Sequence, residues 1–196
     1  MAVKAVIFDL DGTITEPFFD FDNIREEMGL ARNAGPVWEI MQRASDAERT
    51  RLDKILRYHE QLGIDNSSLQ PGAKQTLEWI HSQGLPIAVL TRNTKDNAIE
   101  IARKHNIEFD IFVGREDGPV KPDSFGVKFI CEKFKVPTNQ TLMVGDYLFD
   151  LLCAKAAGAK SVLLLNNEKA KEFAEHADYM IEKLSLLVDI IQNENS

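Results

Sequence analysis

The stretch Lys4-Ala5-Val6-Ile7-Phe8-Asp9-Leu10-Asp11-Gly12-Thr13 joins an unbroken apolar run to two carboxylates and a glycine. A strand with one wet face alternates apolar and polar residues; a run without alternation fits a strand covered on both faces. The carboxylates cannot continue inside a core, so the strand stops where they begin. Asp9 and Asp11, two apart on extended backbone, project to one side. Gly12 permits the turn that follows. The run falls far short of the ~18–20 apolar residues of a membrane span, and no small-residue cleavage site follows it.

The same pattern recurs at 85–91 (LPIAVLT), 141–146 (TLMVGD) and 160–165 (KSVLLL), with weaker versions at 110–114 (DIFVG) and 177–181 (ADYMI). Helix-period segments lie between them. Residues 72–83 carry Ala73, Leu77, Ile80 and His81 on one stripe, with Gly84 as a terminator. Residues 96–105, 123–134, 147–157 and 183–192 complete the set, and 168–175 (EKAKEFAE) reads as an exposed, salt-laced helix. Strands alternating with three-turn helices predict an α/β fold: a doubly wound, Rossmann-like parallel sheet with right-handed connections.

Residues 16–70 break the alternation. Phe21, Ile24 and Met28 lie at helical spacing behind a possible Asp20 cap; Val37, Ile40, Met41 and Ala44 share a face. Ser45 and Glu48 open a third helix, with Leu52, Ile55, Leu56 and His59 on its stripe. The expected organisation is therefore an α/β core of residues 1–15 and 71–196, with a small all-helical insert at 16–70. Alone, such an insert would be marginal, so it should pack against the core.

With 196 residues, 23 Lys+Arg and 31 Asp+Glu, the chain carries a net charge of −8. This opposes a nucleic-acid partner, which would want a basic face, but a small site can still be locally positive. Cys131 and Cys153 have neither CxxC spacing nor nearby histidines. Neither a zinc site nor a disulfide is expected, and buried thiols in a reducing cytoplasm are. His59, His81, His105 and His176 form no HxxxH pair, and no P-loop is present. Oligomeric state is not legible.

Ligands of doubly wound sheets bind beyond the carboxyl ends of the strands. Those ends offer Asp9-Leu10-Asp11-Gly12-Thr13, Thr91-Arg92-Asn93 and Gly145-Asp146, with Asp150 one turn on and Lys121 in a loop. Carboxylates gathered on one rim repel one another and resist ionisation unless a cation sits among them. Asp9, Asp11 and Asp146 suit a hard ion such as Mg²⁺, which takes carboxylates, water and a phosphate oxygen.

These four segments, in this order, resemble the ordered motifs of the haloacid-dehalogenase-like hydrolase superfamily, in its phosphoglycolate-phosphatase-like branch. The insert resembles that family's cap. The resemblance spans essentially the whole chain. It implies an Mg²⁺-dependent phosphatase that hydrolyses a small phosphomonoester through an aspartyl phosphate. Asp9 would be the nucleophile and Asp11 the general acid/base. Thr91, Arg92 and Lys121 would hold the phosphoryl group, while Asp9, Asp11, Asp146 and Asp150 would serve the metal. Asp150 could instead orient Lys121. The presence of Asp11 favours ester over halide chemistry, since a halide needs no proton to leave. Phe18, Phe19 and Arg25 are candidate substrate contacts from the cap, though core packing explains the phenylalanines equally simply. The expected partner is a small phosphorylated metabolite, with no membrane. A phosphomutase and a phospho-acceptor signalling module remain as alternatives.

Overall fold

A computed structural model of the chain describes residues 2–196. Its sheet has six strands in the order β3-β2-β1-β4-β5-β6, all parallel: β1 (Ala5–Phe8), β2 (Ile87–Leu90), β3 (Ile111–Val113), β4 (Thr141–Gly145), β5 (Lys160–Leu164) and β6 (Tyr179–Ile181). The helices are α1 (Phe21–Glu27), α2 (Val37–Arg43), α3 (Asp46–Asn66), α4 (Ala73–Ser82), α5 (Lys95–His105), α6 (Phe125–Phe134), α7 (Leu148–Ala157) and α8 (Leu187–Asn195). α1–α4 lie between β1 and β2 in the chain, and from β2 onward strands and helices alternate. This is the expected doubly wound α/β architecture with a helical insert.

Strand register explains the unbroken apolar runs. Ile7 pairs with Ala88 and Met143, and these three join Val127, Ile130, Cys153 and Ala154 in one core beneath α6 and α7. Val6, Phe8, Val89, Leu142 and Val144 alternate to the opposite face and are just as buried. Both faces are covered, so the polar residues buried within the strands, Thr141 and Ser161, have internal partners, Pro137 C=O and the Asp178 carboxylate.

The chain divides into two compact units, one comprising the segment up to Pro17 together with Ser68–Ser196, the other Phe18–Ser67. In the helical unit, Ile24, Met28, Val37, Met41, Leu52 and Leu56 make the seam, with Phe19 and Trp38 packed against it. Asp20 caps α1 by accepting from the N–H groups of Asp22 and Asn23, and the Ser45 hydroxyl accepts from Glu48 N–H at α3.

Three sequence expectations need correction. Phe21 does not join the seam; as the first residue of α1 it sits before the apolar stripe turns inward and is 47% exposed. The segment read as an exposed helix is a 3-10 helix, Lys169–His176. Its Ala170 and Phe173 pack on Leu151 and Leu163, so only part of it is solvated. The helix expected from 123 begins at Phe125, because Asp123 instead accepts from Phe125 N–H and forms a turn. Cys131 and Cys153 are buried and free, as expected. Among the described residues, no helix is long and apolar enough to cross a membrane.

Candidate active site

The strand order reverses beside β1: β2 and β3 extend one way, β4, β5 and β6 the other. A cleft opens at the carboxyl ends of two strands that diverge in this way. Phe8 pairs with Val144, and Asp9 N–H donates to Val144 C=O at 2.9 Å. Asp9 therefore leaves β1 level with the end of β4, where Asp146 begins the next turn.

After Asp9 the chain folds tightly. Leu10 C=O accepts from the N–H groups of Thr13, Ile14 and Thr15. Gly12 sits at φ +94°, and a Cβ there would lie 2.5 Å from Asp146 Oδ2. Only glycine meets both demands, the left-handed backbone and the close approach of a carboxylate. Gln70 Nε2 and Asn166 Nδ2 both donate to Gly12 C=O and pin the turn from two sides. Gly145 is as constrained, since a Cβ would collide with the Asp150 carboxyl.

Lys121 is 2% exposed. Its Nζ lies between Asp9 Oδ1, a very short contact, and Asp150 Oδ1 at 2.7 Å. Burial would drive the ammonium's pKa down, but Asp150 and Asp9 outweigh it and hold it above its ordinary value. Asp150 is as deeply buried and also accepts from Tyr147 N–H at 3.1 Å, closing the first turn of α7. Burial pushes its carboxyl up and Lys121 pulls it back. An ion pair this dry persists only with good geometry and saturated partners.

Among the described residues no cation pairs directly with Asp146, and Lys121 reaches it only as a more distant charge. Burial, then Asp9, pushes its carboxyl up to about 6, against the donors Asn166 Nδ2 at 3.1 Å and Thr13 Oγ1 at 3.3 Å. Asp9, Asp146 and Asp150 each present an oxygen, all within 4.8 Å of one another. Three hard donors this close, with Asp146 and Asp150 both held above the ordinary carboxylate value, fit a cation, and the trio could hold a metal ion. Asp11 lies outside this trio; its Oδ2 accepts from Asn93 Nδ2 at 3.3 Å.

Thr91 and Arg92 follow β2. The buried Thr91 hydroxyl accepts from Asn93 N–H at 2.9 Å. The Arg92 guanidinium donates to Lys121 C=O and lies 4.8 Å over the Phe149 ring. It bridges the end of β2, the Lys121 loop and α7. In the helical unit, Phe18 is 43% exposed and packs edge-on to Phe19. Arg25 donates to Gly35 C=O and pairs with Asp22.

Sequence reasoning missed Asn166 and Gln70. Asn166 stands two residues beyond β5, a position that strand-end reasoning can find. Gln70 carried no comparable signal.

Comparisons with known proteins identify the family of the chain. The model of the haloacid dehalogenase-like hydrolases matches residues 3–158. A phosphoglycolate phosphatase of Vibrio parahaemolyticus is 26% identical over 96% of this chain and 96% of its own. An uncharacterized hydrolase of Saccharomyces cerevisiae is 28% identical over 98% of this chain and 93% of its own. The crystal structure of a hydrolase from Pseudomonas syringae shares the fold, with a TM-score of 0.79 at 23% identity, covering 96% of this chain and 98% of that one. The six-stranded sheet, its switch point and the family match lead to one assignment: the chain belongs to the haloacid dehalogenase-like hydrolases, an enzyme family with phosphatases among this chain's relatives.

Proposed function

We propose that the protein is an Mg²⁺-dependent phosphatase acting on a small phosphomonoester, of the phosphoglycolate or sugar-phosphate kind, through a phosphoryl group carried on Asp9. The observation that carries this reading is the buried set of Asp9, Lys121 and Asp150 with the half-buried Asp146 beside it at the switch point. So many charges are withdrawn from water only where something offsets the cost.

In the first step an Asp9 carboxylate oxygen attacks phosphorus. The bond from phosphorus to the ester oxygen breaks, its electron pair stays on that oxygen, and Asp11 supplies the proton. In the second step water attacks phosphorus and gives its proton to Asp11. The bond from phosphorus to Asp9 oxygen breaks, and the Asp9 carboxylate and inorganic phosphate are left. Asp11, held by Asn93 and outside the carboxylate trio, is suited to proton transfer. Lys121 keeps a fixed positive charge against the transferring group, and Asp150 holds Lys121 in place. The Thr91 hydroxyl, which accepts from Asn93 N–H and keeps its own proton to donate, completes the phosphate contacts. The Arg92 side chain is occupied with Lys121 C=O and Phe149, so its part is to brace the Lys121 loop. Asp9 and Asp146, with Asp150 behind them, would hold Mg²⁺. When bound, the ion supplies Lewis-acid charge that screens the phosphate from the carboxylates.

Residues 1–15 and 71–196 would form the catalytic core and 16–70 its cap, with Phe18 the most available of the cap candidates. The two free thiols suit a cytoplasmic setting.

The test is a screen of small phosphomonoesters with Mg²⁺ and with excess chelator. Multiple turnovers to inorganic phosphate, lost in chelator and restored by Mg²⁺, are expected. Persistent phosphoenzyme without turnover would instead mark a phospho-acceptor module, and transfer to a second sugar phosphate without phosphate release would mark a mutase.

A further inference from the structure

Asn93 is 5% exposed, and every polar group it carries has a partner. Its N–H donates to Thr91 Oγ1 at 2.9 Å and its C=O accepts from Arg115 N–H at 3.0 Å. Its side-chain Oδ1 accepts twice, from Thr94 N–H at 2.8 Å and from Asn97 Nδ2 at 2.7 Å. The Thr94 backbone N–H can only donate, so the atom facing it must be the amide oxygen. The amide therefore cannot flip, and its Nδ2 is aimed at Asp11 Oδ2, 3.3 Å away.

Asp11 needs such a restraint. It stands in the turn after β1, only partly buried and outside the close carboxylate trio. Asn93 reaches it from the end of β2 and is anchored by the first turn of α5, whose Thr94 also caps Asn97 N–H at 3.2 Å. The donor thus sits in the short connection between β2 and α5 and is braced by the start of that helix.

We propose that Asn93 is the positioning residue for proton transfer: its locked amide holds the Asp11 carboxyl where it can meet the leaving oxygen of the ester. This rests on the reading of Asp11 as general acid. A misplaced acid hurts only reactions that need a proton. An alkyl oxygen leaves poorly as an anion, whereas dinitrophenolate leaves without help.

The experiment compares leaving-group release in a single turnover, with Mg²⁺, for an alkyl phosphomonoester found active in the screen and for 2,4-dinitrophenyl phosphate. The proteins are wild type, Asp11→Asn, Asn93→Ala and Asn93→Asp. Asn93→Asp keeps an oxygen for Thr94 and Asn97 but loses the donor, so it preserves the anchoring of α5; the melting midpoint checks this. Both Asn93 variants should slow alkyl release by roughly ten- to a hundredfold, as for a reacting group misplaced by about 1 Å, while dinitrophenol release is little changed. Asp11→Asn should show the same selectivity, and more strongly. Equal loss on both substrates, or no loss, in folded Asn93→Asp beside a selective Asp11→Asn overturns the role of Asn93. A non-selective Asp11→Asn overturns the acid role of Asp11 and this proposal with it. Absence of turnover by the wild-type protein on every phosphomonoester would overturn the phosphatase reading, and the role of Asn93 in proton transfer with it.

Discussion

The two units of the molecule differ in where their charges meet: both carry surface pairs, but only in the α/β unit, among the described residues, does a buried lysine sit between two buried carboxylates. In the helical unit, Phe18–Ser67, ion pairs such as Arg32–Glu26, Arg51–Glu48 and Arg57–Asp53 lie on the surface, most of them along single helices. Such pairs are screened and solvated, and they contribute little to stability. In the α/β unit, Asp9, Lys121 and Asp150 are withdrawn from water altogether, with Asp146 close by. Surface pairs keep a helix soluble. A buried, carboxylate-crowded set costs stability, and such sets cluster at functional sites.

The sharpest way to break the comparison is to remove the buried cation. Lys121→Met leaves Asp9 and Asp150 facing each other without compensation, and we expect a loss of about 3–5 kcal/mol in denaturant-measured stability together with lost turnover. A folded, active Lys121→Met protein would show the cluster to be ornamental.

Next in size is the apolar packing of the helical unit. Leu52 is 1% exposed in its seam. Leu52→Ala should cost about 2–5 kcal/mol of that unit's stability by creating a cavity, while the Asp9–Lys121–Asp150 contacts stay intact. Proteolysis with mapping of the cut sites would show whether the loss is confined to 18–67.

A third test uses pH. Asp146 is pushed up to about 6 from an ordinary 3.8, chiefly by burial and then by Asp9. The folded state therefore binds its proton more tightly than the unfolded chain does. Stability falls as pH rises through the interval from about 4 to about 6, and the full penalty, roughly 2–3 kcal/mol, is present above it. Urea melts of metal-free protein at pH 5 and pH 8 should show the drop, and Mg²⁺ should reduce it at pH 8. A metal-free protein no less stable at pH 8 would contradict the crowding of the trio. The smallest effect belongs to the helical surface: Arg32→Ala should leave the melting midpoint unchanged within measurement error, because its partner Glu26 stays hydrated.

How far the sequence speaks follows from the same contrast. Strands β1, β2, β4 and β5 are legible because burial on both faces erases alternation. The acids of the site are legible because a carboxylate at the end of an apolar run has no structural excuse. Amides carry a weaker signal: Asn166 is marked only by its place just past β5, and Gln70, which also pins Gly12, looks like any surface Gln until the fold places it. Arg92 shows the opposite failure. Its place beside Thr91 is legible, but spacing cannot reveal that its guanidinium turns to Lys121 C=O and Phe149. Phe21 satisfies a helical stripe on paper, yet a stripe does not say at which residue a helix first meets its seam.

The central claim is that the buried cluster exists to carry a phosphoryl group on Asp9. It is tested most directly by quenching the enzyme during turnover of a phosphomonoester with Mg²⁺, reducing it with borohydride, and locating the modified aspartate by mass spectrometry. The account expects homoserine at residue 9, and none in Asp9→Asn, which should also lose turnover by about 10⁴-fold or more. Modification at another residue, or an Asp9→Asn protein that still turns over phosphomonoesters, would contradict it.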